Sequence, residues 1–461
     1  MRSDATREAS RRPSRGVLLG RSNDRWVWSG PQRSALILGP TRSGKTTSVI
    51  IPNVLSSPGA VVSTSTKPDV MHATAAARSR SGSCLLFDPI GQTAPAEGVT
   101  RVGWSPLRAA STWDGALEMS ASMVAASKQL SSSDMRSSDH WTERSGALLA
   151  TLLFAGSSVG DDMATVLQWT DRHLGADALG LLSSERGPTH PATSLLTGIL
   201  ATDSREQSGI WSTTSGVLGA YRSLGALDAT RAPGIDPETF VAGSHTLYIC
   251  APGRQQALLA PLVVGLIGEL QAASYRRGDV DAPVVFALDE LANIAPLPDL
   301  PRVVSEGGGQ GLLTIGCLQD LSQARSRWGP EADGFLSLFP ATLVLGGIAD
   351  VRTLKSLSDL AGQRDDVIAS HTISRDHAGR RSASRGSSLR RSRIYDVDQI
   401  ARGQVGRALL LDAAKQIGFV DLTVAHRDEP WRSLSARLGP AREARPRRDP
   451  EGRVDLWPST R

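Results

Sequence analysis

The chain is 461 residues long, with 51 Lys and Arg against 46 Asp and Glu and a formal net charge of +5. That length allows two or three domains around a large core, and 45 Gly with few aromatics suits a mixed α/β protein with many turns. Cys84, Cys250 and Cys317 sit singly in apolar runs, which argues against a disulfide scaffold or a CxxC metal site, while the mild basic excess permits a polyanionic partner without requiring one.

Residues 1–33 are Arg- and Ser-rich and read as a flexible basic arm ending in an edge segment at Trp26-Val27-Trp28. No apolar region of a signal peptide is present in it. Further along, the apolar run 147–155 is too short to span a bilayer. The run 258–270 holds Pro261 and is cut by Glu269, so both read as helices buried in protein. The expected location is cytoplasmic, or peripheral at the inner face of the cell membrane through a partner.

Residues 34–104 open a nucleotide-binding domain. The apolar run Ala35-Leu36-Ile37-Leu38 leads into Gly39-Pro40-Thr41-Arg42-Ser43-Gly44-Lys45-Thr46, a complete G-x-x-x-x-G-K-[ST] P-loop, with Thr47 following. A strand feeding a glycine turn that opens a helix aims free N–H groups at phosphates. Lys45 can reach the β- and γ-phosphate oxygens as a flexible point charge, and Thr46 can ligate Mg²⁺. Residues 39–47 are thus the candidate ATP-binding set. Pro52 is expected to kink or end the helix. The runs 59–63 and 84–88 read as parallel strands, with a helix over 73–80 between them.

Over 105–235 strand signals vanish and helical periodicity takes over, at 116–130, 140–154 and 208–224, predicting an all-α insertion. From 236 to 430 the α/β pattern resumes as the second part of the nucleotide-binding domain. Strands are predicted at 246–250, 284–288, 312–318 and 342–345, a long helix over 255–275, and a closing hairpin from 408–411 and 418–424. Residues 374–393 lack apolar anchors and read as a mobile loop. The tail 431–461 is polar and charged.

The strand 284–288 runs straight into Asp289-Glu290, a Walker B element of the hydrolytic kind. Asp289 is placed to hold the Mg²⁺ shell and Glu290 to orient and polarise the attacking water. Along the chain, the strand 246–250 falls between the early strands and this one, the order expected when an extra strand separates the P-loop and Walker B strands. Gln319 ends the next strand, where it can report the nucleotide state; Glu290, Lys45 and Gln319 form the candidate catalytic set. The alternating strands and helices predict an α/β fold with a mostly parallel sheet.

At this point the chain resembles a family. The segments GPTRSGKTT, IIPNVL and VVSTSTKPDV, then FALDELANIAPLPDLPRVVSEGGGQGLLTIGCLQDLSQARSRWG and the later 353–362, are similar to the TraG/TraD-type coupling proteins of conjugation and type IV secretion. The resemblance spans roughly residues 17–427. It implies a RecA-like P-loop motor, a homo-hexameric ring that uses ATP and Mg²⁺ to move single-stranded DNA, often with an attached relaxase, toward a secretion channel. Family members usually carry N-terminal transmembrane helices, which are not read here. The family's arginine for the neighbouring nucleotide has no counterpart in Ser305–Gly311, leaving Arg302, Arg325 and Arg352 as candidates, and the second strand ends in Ser65-Thr66-Lys67 where an acid is usual. An FtsK/HerA-like double-stranded DNA pump and a nucleotide-binding recruitment adaptor stay open as alternatives.

A motor that grips a phosphate backbone needs positive charge and donors. The densest basic run is Arg380, Arg381, Arg385, Arg390, Arg391 and Arg393, set among Gly and Ser without aromatics. It reads equally as a polyanion-gripping segment and as a solvated loop, and the Arg-rich N-terminal arm has the same two readings.

Overall fold

A computed structural model describes residues 16–130, 135–251, 253–375, 381–412 and 417–436. Its strands in chain order are β1 (Leu18–Ser22), β2 (Arg25–Trp28), β3 (Ala35–Leu38), β4 (Val61–Ser65), β5 (Cys84–Phe87), β6 (Val99–Arg101), β7 (Thr246–Cys250), β8 (Val284–Leu288), β9 (Leu312–Leu318), β10 (Ala341–Val344), β11 (Gln363–Arg375), β12 (Arg381–Arg393), β13 (Arg407–Asp412) and β14 (Gly418–Asp421). All but β11 and β12 form one 12-stranded sheet in the order β2-β1-β14-β13-β10-β3-β9-β8-β4-β7-β5-β6. From β10 to β6 every pairing is parallel; β13, β14, β1 and β2 add on antiparallel. This is the expected α/β fold with a mostly parallel sheet.

The central strands are continuous apolar runs because both of their faces are covered. Leu36, Leu38, Val62 and Phe286 point into one core, and their neighbours Ile37, Val61 and Val285 into the other. Between β6 and β7 the described chain forms helices and no strands, the longest being Trp113–Leu130 and Met135–Val159. They pack on the first face together with the Gln256–Arg277 helix. That helix is long and apolar enough to cross a bilayer by length and composition, yet it is a core element: Leu262, Leu266, Ile267 and Leu270 are fully buried. The second face is covered by the helical segment after the P-loop and by the Asp69–Arg78 helix. Arg78 is itself buried and staples the starts of β4 and β7, donating to Thr246 Oγ1 at 2.7 Å and to the Gly59 and Ser244 carbonyls at 2.8 and 3.0 Å. The three cysteines are free, buried thiols.

Four sequence expectations are corrected. The strand between the P-loop strand and the Walker B strand is β9, not Thr246–Cys250, which lies between β4 and β5. Chain order does not encode that crossover. The arm 1–33 is structured over its second half, where β1 and β2 close the sheet edge and Val17, Leu18 and Leu19 are buried; residues 1–15 lie outside the described residues. The tail is anchored at its start, because Trp431 is buried with its ring 6.0 Å from that of Trp26; residues 437–461 lie outside the described residues. Finally, most of 374–393 is not a loop but belongs to a β11–β12 ribbon of two 13-residue strands. Backbone pairing between the strands replaces the apolar anchoring that the sequence lacks. Arg380 lies outside the described residues.

Candidate nucleotide-binding site

The site forms at the C-terminal ends of β3, β9 and β8. At its start the Gly39 N–H donates to the Leu318 carbonyl at 3.1 Å, tying the P-loop to the end of β9. Gly44 has φ +99°, a conformation that side chains with a β-carbon rarely adopt. Pro40, Thr41, Arg42 and Ser43 make the arch, with Arg42 also left-handed at φ 63°. The helix then opens wide: Ile51 N–H donates five residues back to Thr46 O before the chain settles into the Ile51–Ser56 α-helix. Pro52 falls within the first turn of that helix and neither ends nor breaks it.

The Walker B strand delivers its carboxylates to this loop. Thr46 Oγ1 donates to Asp289 Oδ2 at 2.7 Å across 243 positions of sequence. That contact brings together the two groups proposed to share Mg²⁺. Lys45 Nζ is folded onto its own loop, donating to the Pro40 carbonyl at 2.9 Å and, more closely, to the Gly39 carbonyl. Thr47 Oγ1 donates to the Gly44 carbonyl at 3.3 Å. Glu290 accepts from Asn293 Nδ2 at 3.3 Å. Gln319 stands one residue past Leu318, beside the P-loop, and its N–H donates to Gln323 Oε1 at 2.8 Å.

The electrostatics follow from burial. Asp289 is pushed above the usual carboxylate range, first by desolvation, against which the Thr46 hydroxyl and the Lys45 ammonium pull down. Glu290 is raised by burial and then by the charge of Asp289. A buried carboxylate beside a half-buried one is a poor arrangement without a counter-charge and a good one for a divalent cation. Two further observations fit a phosphate and a metal here: the Ser43 hydroxyl is buried in the loop without a partner, and the Lys45 donors are spent on loop carbonyls that a stronger acceptor can replace. Cys317, which sequence reasoning missed, is buried against Asp289 and raised well above the usual thiol range, by burial first and by Asp289 second. Its place one residue before the end of β9 is the signal that marks it. The arginine candidates are all held within the chain. Arg302 pairs with Asp299 at 2.7 Å, Arg325 with Asp350 at 2.6 Å and Arg352 with Asp333 at 3.0 Å.

Comparison with known proteins points the same way. Residues 283–404 match the family described as the TraM recognition site of TraD and TraG. Among solved structures, the unbound bacterial conjugative coupling protein TrwBdeltaN70 superposes with a TM-score of 0.66 over 91% of this chain and 92% of its own, at 17% identity. The plasmid coupling protein TrwB in complex with ADP and Mg²⁺ gives 0.66 over 92% of this chain and 91% of its own at 17% identity. The TrwB complex with a non-hydrolysable ATP analogue gives 0.64 over 92% of each chain, again at 17% identity. A sequence search of curated proteins finds no match. Residues 283–404, which include the Walker B strand, are thus similar to a domain of TraD and TraG, and the fold of the chain is that of TrwB.

Proposed function

We propose that the chain is a Mg²⁺-dependent ATPase that drives conjugative DNA, single-stranded and often relaxase-bound, toward a type IV secretion channel as a homo-hexamer. The 2.7 Å contact between Thr46 and Asp289 carries this reading. It sets the hydroxyl of the P-loop threonine against the first carboxylate after β8, the two groups that a shared Mg²⁺ would require. Lys45, the N–H groups of residues 41–47 and Thr46 would hold the nucleotide, and Thr46 with Asp289 would hold the metal. Bound Mg·ATP supplies the labile anhydride and the Lewis acid. Glu290, half-buried and steadied by Asn293, orients a water and takes up its proton. Gln319, at the end of the strand that touches the P-loop, senses whether the nucleotide is present. TrwB itself was solved with ADP and Mg²⁺ and with a non-hydrolysable ATP analogue, which supports the nucleotide reading.

The test is ATP hydrolysis measured with and without single- and double-stranded DNA, beside the mass of the nucleotide-bound assembly. Lys45→Ala is expected to lose nucleotide binding. Glu290→Gln is expected to bind ATP and turn over about 10²–10⁴-fold more slowly. Wild-type turnover in Glu290→Gln refutes the catalytic assignment.

A further inference from the structure

The β11–β12 ribbon stands outside the main sheet as a separate two-stranded sheet. Each strand has 13 residues, so the ribbon reaches about 40 Å along its axis. Its sequence, 363–393, holds eight Arg against three Asp, an excess equal to the +5 of the entire chain. The rest of the protein is therefore neutral in sum, and the net positive charge of the chain equals that of this one element. Along the ribbon the charge is graded. At the root, acids answer the arginines: Arg393 pairs with Asp359 at 2.8 Å, Arg364 with Asp366 at 3.0 Å and Arg391 with Asp365 at 3.6 Å. Arg390, opposite Asp366 in register, and Arg385, further out opposite His371, are exposed and make no ion pair among the described residues.

The root is fastened to the nucleotide site. Arg393 Nη1 donates to Ser358 Oγ at 3.0 Å, and Ser358 Oγ donates to the Tyr395 carbonyl at 2.7 Å. The next helix, Val397–Arg402, accepts through its Ala401 carbonyl from Gly347 N–H at 2.7 Å. Gly347 lies so close to the P-loop that a β-carbon added there would stand 3.0 Å from Pro40 Cγ. A contiguous path of hydrogen bonds and packing thus joins the phosphate-binding loop to the ribbon.

We infer that the ribbon is a nucleic-acid arm that holds the phosphate backbone through Arg385 and Arg390, on a root joined by contacts to the P-loop. This rests on the proposed DNA-moving function. Guanidinium groups set among serine hydroxyls supply the donors that phosphate oxygens take from proteins. With no aromatic side chain along 363–393 for stacking, the contact is with backbone and not with bases. A lipid headgroup would offer the same anion. However, the exposed apolar pair Val367 and Leu389, opposed in register, sits toward the root and not at the far end, where insertion into a bilayer would need it.

The test uses the full-length protein with Arg385→Gln/Arg390→Gln and with the double charge reversal to Glu. Binding of single- and double-stranded DNA is measured across salt. The Gln pair is expected to shrink the slope of log K against log salt by about 1–2. It should weaken both DNA forms alike, and raise the DNA concentration needed to stimulate hydrolysis, with basal ATPase unchanged; the Glu pair should go further. If the native protein binds DNA and both variants match it in slope and affinity, the arm is refuted while the DNA-moving function stands. If the native protein shows no DNA affinity or stimulation, that function falls and the arm with it. Retained DNA binding with lost binding to phosphatidylserine/phosphatidylcholine vesicles overturns the arm in favour of a membrane contact.

Discussion

Asp289 and Glu290 cost the unliganded protein stability, and the cost has a sign that pH reveals. Both carboxyls are raised in the folded state, chiefly by burial. At neutral pH the unfolded chain ionises them at little cost, whereas in the folded chain burial penalises the ionised form. As pH falls through their raised folded values, the native state takes up protons before the unfolded state does, so stability rises. The gain is complete below the ordinary carboxylate range near about pH 4 and is lost as pH climbs back through the folded values. Asp289→Asn removes the charge and keeps an oxygen for the Thr46 hydroxyl. Without nucleotide at neutral pH this variant is expected to melt roughly 1–3 °C above the native protein. Its advantage should shrink in acid as the native carboxyl protonates, and Mg·ATP should no longer raise its melting temperature. Thermal melts across pH with and without Mg·ATP check all three, and a variant that melts lower at neutral pH contradicts the penalty.

At the scale of elements, the glycine run after the Walker B strand shows why no side chain stands at Gly308. Gly308 lies under the turn before β3, and a β-carbon on it would sit 1.9 Å from the Gln32 carbonyl oxygen, a backbone atom that cannot step aside. Gly309, one residue on, has nothing within 4 Å of the same position. Gly308→Ala is therefore expected to destabilise by about 1–3 kcal/mol through forced backbone shifts, while Gly309→Ala stays within about 0.5 kcal/mol. Equilibrium unfolding of the two variants side by side decides it, and equal effects would remove the packing explanation. The sequence shows the glycines but not the carbonyl they accommodate. The same limit governs the rest of the fold. The buried strands β3, β4, β5, β7, β8, β9 and β10 were legible because an apolar run covered on both faces needs no context to be recognised. The loop of residues 39–46 and the pair Asp289-Glu290 were legible because their spacing is chemical. Three things were not. The order of β9 and β7 across the sheet is a crossover, invisible along the chain. The ribbon is held by pairing between two polar strands, which leaves no hydrophobic trace. Finally, β1 is a short patch whose pairing with β2 and with β14 leaves no mark in its own residues.

At the scale of the whole molecule, the proposed ring would have each nucleotide completed by its neighbour, and the ion pairs of the chain bear on which arginine could do this. Arg325 is excluded by its role at home: its side chain is only 19% exposed, and its partner Asp350 also caps the helix Val351–Ala361 by accepting from Thr353 N–H. Arg302 and Arg352 have side chains that are 61% and 63% exposed and are paired with a half-buried and an exposed carboxylate, Asp299 and Asp333. Such surface pairs are worth little and can be released without loss of fold. The trans-acting group is therefore expected to be Arg302 or Arg352, and mixed assemblies test it. Lys45→Ala subunits lack a working loop but carry intact arginines, and Arg302→Ala or Arg352→Ala subunits carry an intact loop. In a head-to-tail ring mixed at equal ratio, about a quarter of the interfaces regain both halves. ATPase activity of the mixture should then exceed that of either parent for at least one of the two arginines. Arg325→Ala should instead lower the melting temperature and give no rescue. Mixtures as inactive as their parents for both Arg302 and Arg352 would mean that the nucleotide is completed within its own subunit.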